Sequence, residues 1–131
     1  MANTLKVITA NSSHSDSSGT TSPNTAGEND TLYTVPGSVS ATIIVGFHVC
    51  NVTTNTIKIS VTIESDTTSA TVFGNGANKN AFLVKDVPIP EGSTIELLSG
   101  NKIFLEDTDK ILIQSDTVGG YNCILSFVEQ S

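Results

Sequence analysis

The sequence predicts an all-β protein: an antiparallel β-sandwich, jelly-roll-like, with a flexible N-terminal arm. Three observations carry that prediction. Apolar residues recur at period two, most cleanly over Thr56–Glu64, where Ile57, Ile59, Val61 and Ile63 share one face and Lys58, Ser60, Thr62 and Glu64 the other. Runs of strand length, rich in β-branched residues, are separated at short spacing by Gly, Pro, Asn, Asp and Ser. No stretch repeats its apolar residues with helical periodicity, so no helix is expected. A chain of 131 residues has the length of one domain and is large enough for a single β core. The expected division is a strand and Ser/Thr-rich arm over residues 1–30 and a sandwich over residues 31–131.

The elements follow in order. Leu5–Ala10 reads as a short strand at an edge. From Asn11 to Asp30 the only apolar side chains beyond Pro23 are those of Ala26 and the glycines' bare backbone. Such a stretch buries too little surface to offset the entropy of ordering, so an arm is expected there, ordering against a neighbouring subunit if at all. Thr31–Val35 is a strand closed by the turn-forming pair Pro36-Gly37. Ala41–Val52 is the longest apolar run and reads as a central strand covered on both faces, with Gly46 marking a bulge or a close backbone approach. Unbroken alternation would put His48 on the face of Ile44, Gly46 and Cys50. Thr53-Thr54-Asn55 turns the chain into the amphipathic strand, Ser65–Ser69 turns it out, and Thr71-Val72-Phe73 is read as a brief strand before the loop Gly74–Asn80.

Phe82 to Leu105 reads strand, turn, strand, turn, strand. Val87 and Ile89 each precede a proline, which favours extended geometry, and a proline gives no ladder N–H, so Pro88 and Pro90 suit an edge or a strand exit. Glu91-Gly92-Ser93 supplies a turn in which Gly92 takes positive φ without a Cβ penalty. Thr94–Leu98 is the next strand, Ser99-Gly100-Asn101 the next turn, and Lys102–Leu105 the return. Glu106–Asp109 then turns into Lys110–Ser115, and Asp116–Gly120 into the closing strand Tyr121–Glu129. About nine or ten strands result, the pattern of a sandwich or barrel.

Composition narrows the function. Six Lys+Arg against 13 Asp+Glu give a net charge of −7, which repels phosphate backbones and anionic lipid, so neither nucleic acid nor a membrane is an expected partner. No run reaches the roughly 18 apolar residues of a membrane span, and MANTLKVITA lacks the apolar core of a secretory signal, so folding in a cytosol is expected. Cys50 and Cys123 both lie in apolar runs and read as buried thiols, with a disulfide between neighbouring strands as the alternative. His14 and His48 are the only histidines, no CxxC spacing exists, and no GxSxG elbow accompanies them. No catalytic, cofactor-binding or metal-binding residue is assigned. The acidic run Glu106–Asp109 offers hard oxygen ligands without the spacing of a calcium-binding loop, and Gly74–Asn80 has no helix or GK[ST] to cradle a phosphate.

TLYTVPG, then FLVKDVPIPEGSTIELLSGNKIFLEDTDKI, then a final strand of the ILSFVE type resemble a group of small virion proteins of tailed bacteriophages, including those of marine and cyanobacterial hosts. The likeness runs from Leu32 to about Glu129 and lies in turn and strand motifs rather than in chemistry. The resemblance implies a non-enzymatic structural protein of the particle, assembled in the host cytoplasm and exposed on the virion. Its leading form is a capsid decoration or cement protein partnered by the major capsid protein. A neck, tail or baseplate accessory partnered by neck or tail proteins is the alternative, as is a receptor- or carbohydrate-binding module. A homo-oligomer is expected, with a trimer favoured. The expected contact surface is the arm Asn11–Asp30 with the loops Asn75–Asn80 and Glu106–Asp109.

Overall fold

The computed structural model describes residues 2–11, 14–15, 21–22, 29–68, 70, 72–74 and 76–131. The described strands are β1 (Asn3–Ala10), β2 (His14–Ser15), β3 (Thr21–Ser22), β4 (Asp30–Thr34), β5 (Ala41–Asn51), β6 (Ile57–Glu64), β7 (Ala81–Ile89), β8 (Thr94–Glu96), β9 (Ile103–Glu106), β10 (Lys110–Ser115) and β11 (Tyr121–Gln130). Two antiparallel sheets stack face to face. One runs β1-β11-β5-β8 with β9 also on β5, and the other runs β4-β10-β6-β7. The backbones of β2 and β3 pair separately, so strand pairing extends into the Asn11–Asp30 stretch; most of that predicted arm lies outside the described residues.

The pairing is that of one long hairpin rolled up. Its successive rungs are β1–β11, β4–β10, β5 with β8 and β9, and β6–β7. Two further ladders, β11–β5 and β10–β6, then join these rungs into sheets. This nesting is the jelly roll that the turn spacing predicts. The inward rows of both sheets form one core, with Phe47, Val49, Ile57, Ile59, Ile113 and Leu125 at 1% exposure or less. Tyr33 from one sheet and Phe127 from the other meet with ring centroids 4.5 Å apart.

β5 departs from the expected strand in two ways. It does carry the bulge signalled by Gly46: the register against β11 slips by one between Ser126↔Gly46 and Phe127↔Ile44, leaving Val45 as the extra residue. The slip breaks the alternation, so Ile44 is buried in the core while His48 points out of the sandwich. The strand is therefore covered on one face only, and His48 does not share a face with Ile44. Its long apolar run reflects a second, exposed apolar face rather than burial on both.

β7 lies at the edge of its sheet, as the prolines require, pairing β6 alone among the described strands and ending before Pro90. Two register shifts interrupt its ladder. At one, Asp86 takes φ 51°, its N–H donates to Ser60 Oγ at 2.9 Å, and that hydroxyl faces Asp86 Oδ1 at 3.4 Å. Gly92 takes φ 68° in a turn closed by Ser93 N–H to Pro90 C=O at 3.1 Å.

Beyond it the chain does not reverse. β8 pairs Thr94–Glu96 with Cys50–His48, and β9 pairs Ile103–Glu106 with Ile44–Ala41, so both run the same way along β5. Residues 97–102 form a loop between them, with Ser99 at φ 50° and Gly100 at φ 83°. Lys102–Leu105 is thus a continuation, not a return: Asn101 N–H donates to Leu98 C=O at 2.9 Å around the two left-handed residues, a tight turn, but β5 pairs the segments on both sides of it and no hairpin forms. Val72–Gly74 forms a tight turn with Phe73 at φ 51° and Gly74 at φ 74° rather than part of a strand, and Thr71 lies outside the described residues.

Candidate functional site

The open face of the β1-β11-β5-β8/β9 sheet is the most distinctive surface of the molecule. Residues opposed across antiparallel strands share a face. The registers therefore align Leu5 (β1), Val128 (β11), Ile43 (β5) and Phe104 (β9) in one row across the sheet. Leu5 is 82% exposed and Phe104 61%, while Val128 and Ile43 between them are half-buried by their neighbours. Val7, Val45 and Ile124 extend the apolar surface towards the next rows. The third row runs Thr9, Ile124, His48 and Glu96, where His48 Nε2 meets Glu96 Oε2 at 2.9 Å. Glu96 Oε1 accepts from Leu98 N–H at 2.8 Å, so the carboxylate also anchors the start of the 97–102 loop. The result is an apolar band bounded on one side by a polar pair. Contiguous exposed apolar surface of this kind marks interaction sites.

Beneath that face a polar clasp holds β1, β4, β5 and β11 together. Glu129 is only 5% exposed, on the inward row of β11. Lys6 Nζ lies 2.7 Å from Oε1, and the Tyr33 hydroxyl donates to Oε2 at 2.6 Å. With its proton committed there, Tyr33 accepts from the Thr42 hydroxyl at 2.8 Å. The Lys6 hydrogen bond, followed by that of Tyr33, holds the Glu129 carboxyl below its ordinary value of 4.5. Burial, reinforced by Glu129, pushes the Tyr33 phenol up. These groups are consumed by one another inside the sandwich, which suits structure rather than turnover.

Asn51, at 1% exposure, is a second knot. Its Nδ2 donates to Asn55 C=O at 2.7 Å and to Ile89 C=O at 2.8 Å, while Oδ1 accepts from the Thr53 N–H and hydroxyl, each at 2.8 Å. It fixes the turn after β5 and ties that strand to β7 of the opposite sheet.

The two loops expected as contact surface come together. Asn80 of the Asn75–Asn80 loop and Thr108 of the Glu106–Asp109 turn line one open polar concavity of about 510 Å³ with Glu64, Ser65, Asp66 and Lys110. Much of this chemistry is local: Asn80 Oδ1 accepts from Ser65 N–H, and Asn78 donates to Thr67 Oγ1. Asp109 turns inward, its Oδ2 accepting from Glu106 N–H at 2.9 Å, while its buried Oδ1 has no partner among the described residues. Among the described residues no three His, Cys, Asp or Glu side chains gather as metal ligands.

Both cysteines are free. Cys123 lies on the inward row, where burial pushes its thiol up to about 12 and suppresses the thiolate. Cys50 is half-buried on the outward row, so the two thiols face opposite sides of the sheet and the alternative disulfide is not formed. No protein-family model, no curated protein and no solved structure matches this chain.

Proposed function

We propose that this chain is a non-enzymatic structural protein of a tailed-bacteriophage particle, a capsid decoration or cement protein that binds the assembled shell and stabilises it. The observation that carries the reading is the exposed apolar row Leu5–Val128–Ile43–Phe104 on the open sheet face of the jelly roll. A flat apolar face suits a broad protein surface better than a small ligand, which needs a concave pocket. The turn and strand motifs from Leu32 to Glu129 that resemble phage virion proteins support the same reading, and jelly rolls recur in viral capsids, an analogy of fold alone. The described lining of the polar concavity contains no aromatic ring on which a sugar would stack, which favours the shell over a glycan as partner.

The test is the copy number per purified virion, measured by quantitative mass spectrometry against the major capsid protein. A simple fraction of the capsid subunits is expected. A handful of copies per particle would move the protein to the neck or tail, and absence from virions would end the structural reading.

A further inference from the structure

A sheet edge left open is a template for another strand, and proteins ordinarily blunt such edges. Three of the four edges in this sandwich are blunted. β4 has five residues and a register shift against β10. β7 carries Asp86 at positive φ and Pro88 within the strand. The β8–β9 edge is broken by the loop at 97–102.

β1 is different. Its eight residues hold one unbroken register along β11 and contain neither proline nor glycine. Among the described residues β11 is the only strand that pairs with it. Leu5 and Val7 stand in solvent along it, at 82% and 61% exposure.

We infer that β1 is a self-pairing edge: two copies of this chain join β1 to β1 antiparallel about a two-fold axis normal to the sheet, merging their outer sheets into one. The inference stands apart from the virion reading. A second copy is favoured over a foreign strand because β1, paired antiparallel with itself about Val7, sets no like charges opposite each other and meets apolar side chain with apolar side chain at the axis. The chain's net charge of −7 makes most of its surface repel a copy of itself. β1 instead carries a single charge, Lys6, already matched by Glu129 at 2.7 Å.

A two-fold normal to the sheet keeps outward residues opposite outward residues, so only same-face registers are open. Two of these overlap the strands most fully. One centres on Lys6 and sets two ammonium groups against each other. The other centres on Val7, pairing Val7 with Val7, Leu5 with Thr9, and Lys6 with Ile8 of the other copy. The second register is the one chosen: Val7 meets Val7 at the axis, and the Leu5 row of each copy continues into the Thr9–Ile124–His48–Glu96 row of the other.

Sedimentation velocity on the purified full chain is expected to show a concentration-dependent dimer. Val7→Lys should weaken it by at least roughly tenfold, through lost apolar contact and like charges face to face, with an unchanged far-UV circular dichroism spectrum. Cysteine pairing reads the register directly in a Cys50→Ser background. Val7→Cys should form a covalent dimer on mild oxidation. Leu5→Cys should do so only when mixed with Thr9→Cys chains. A monomer at every concentration would overturn the inference. So would an oligomer indifferent to Val7→Lys, or cross-linking centred on position 6.

Discussion

At Glu129 a carboxylate is buried on an apolar row, and its charge is held by one half-exposed lysine and one buried phenol. Because its folded pKa is depressed, it contributes stability above the ordinary carboxylate value of 4.5 that is lost as pH falls through the folded pKa. Glu129→Gln keeps an acceptor for Tyr33 but surrenders the Lys6 pair, and solvent already screens that lysine. We expect a cost of about 1–3 kcal/mol at neutral pH. The thermal melting gap to the parent should close as pH drops below 4.5, and a gap constant down to pH 3 would refute this account. Asn51 makes a sharper case, since all four hydrogen-bonding positions of its side chain are committed, both donors to the Asn55 and Ile89 carbonyls and the oxygen to the Thr53 N–H and hydroxyl. Asn51→Asp turns a carboxylate oxygen towards the Ile89 and Asn55 carbonyls. Chemical denaturation should show a loss of about 2–4 kcal/mol, more than for Asn51→Ala if oxygen–oxygen repulsion dominates over the lost bonds.

At the scale of elements, turn chemistry was the most legible part of the sequence. Gly92 adopts the positive φ expected of it, and a Cβ there would meet nothing within 4 Å. Gly92→Ala therefore isolates the backbone term, and a loss of about 1 kcal/mol is expected from the left-handed conformation alone. The amphipathic β6 and the Pro-marked edge of β7 were equally readable, because period-two burial and a missing N–H act locally. What could not be read were outcomes set by a partner strand. Ser99-Gly100-Asn101 has the composition of a hairpin turn and does turn tightly, yet β5 captures the segments on both sides, so the turn interrupts one continuing edge instead of starting a hairpin. Val45 is likewise extra only relative to β11. The Tyr33–Glu129 clasp left one trace in the sequence: Glu129 continues the inward row Tyr121, Cys123, Leu125 and Phe127, an acid where an apolar residue was due. Nothing local named the phenol that would meet it.

For the whole molecule, the buried groups and the exposed apolar face answer to different conditions. Alkaline conditions should unfold the sandwich from within. Burial raises Cys123 from an ordinary 9.0 to about 12, and raises Tyr33 and Tyr121 above their ordinary 10.0. Their neutral forms thus contribute stability that is complete below those ordinary values and is lost as pH climbs towards the folded ones. The outer face obeys a different rule, since Leu5 and Phe104 already stand mostly in water and bury little on folding. Phe104→Lys should shift folding stability by no more than about 0.5 kcal/mol. If the face is what meets the shell, the same substitution should abolish co-sedimentation with purified capsids, because a hydrated ammonium replaces an exposed aromatic anchor in a dry contact. Glu129→Gln should show the converse: lower stability, with binding preserved at temperatures where the protein stays folded. Phe104→Lys binding capsids as well as the parent would move the contact off this face. The polar concavity between Asn80 and Thr108, where the loops first suspected of contact converge, would then be the surface to substitute next.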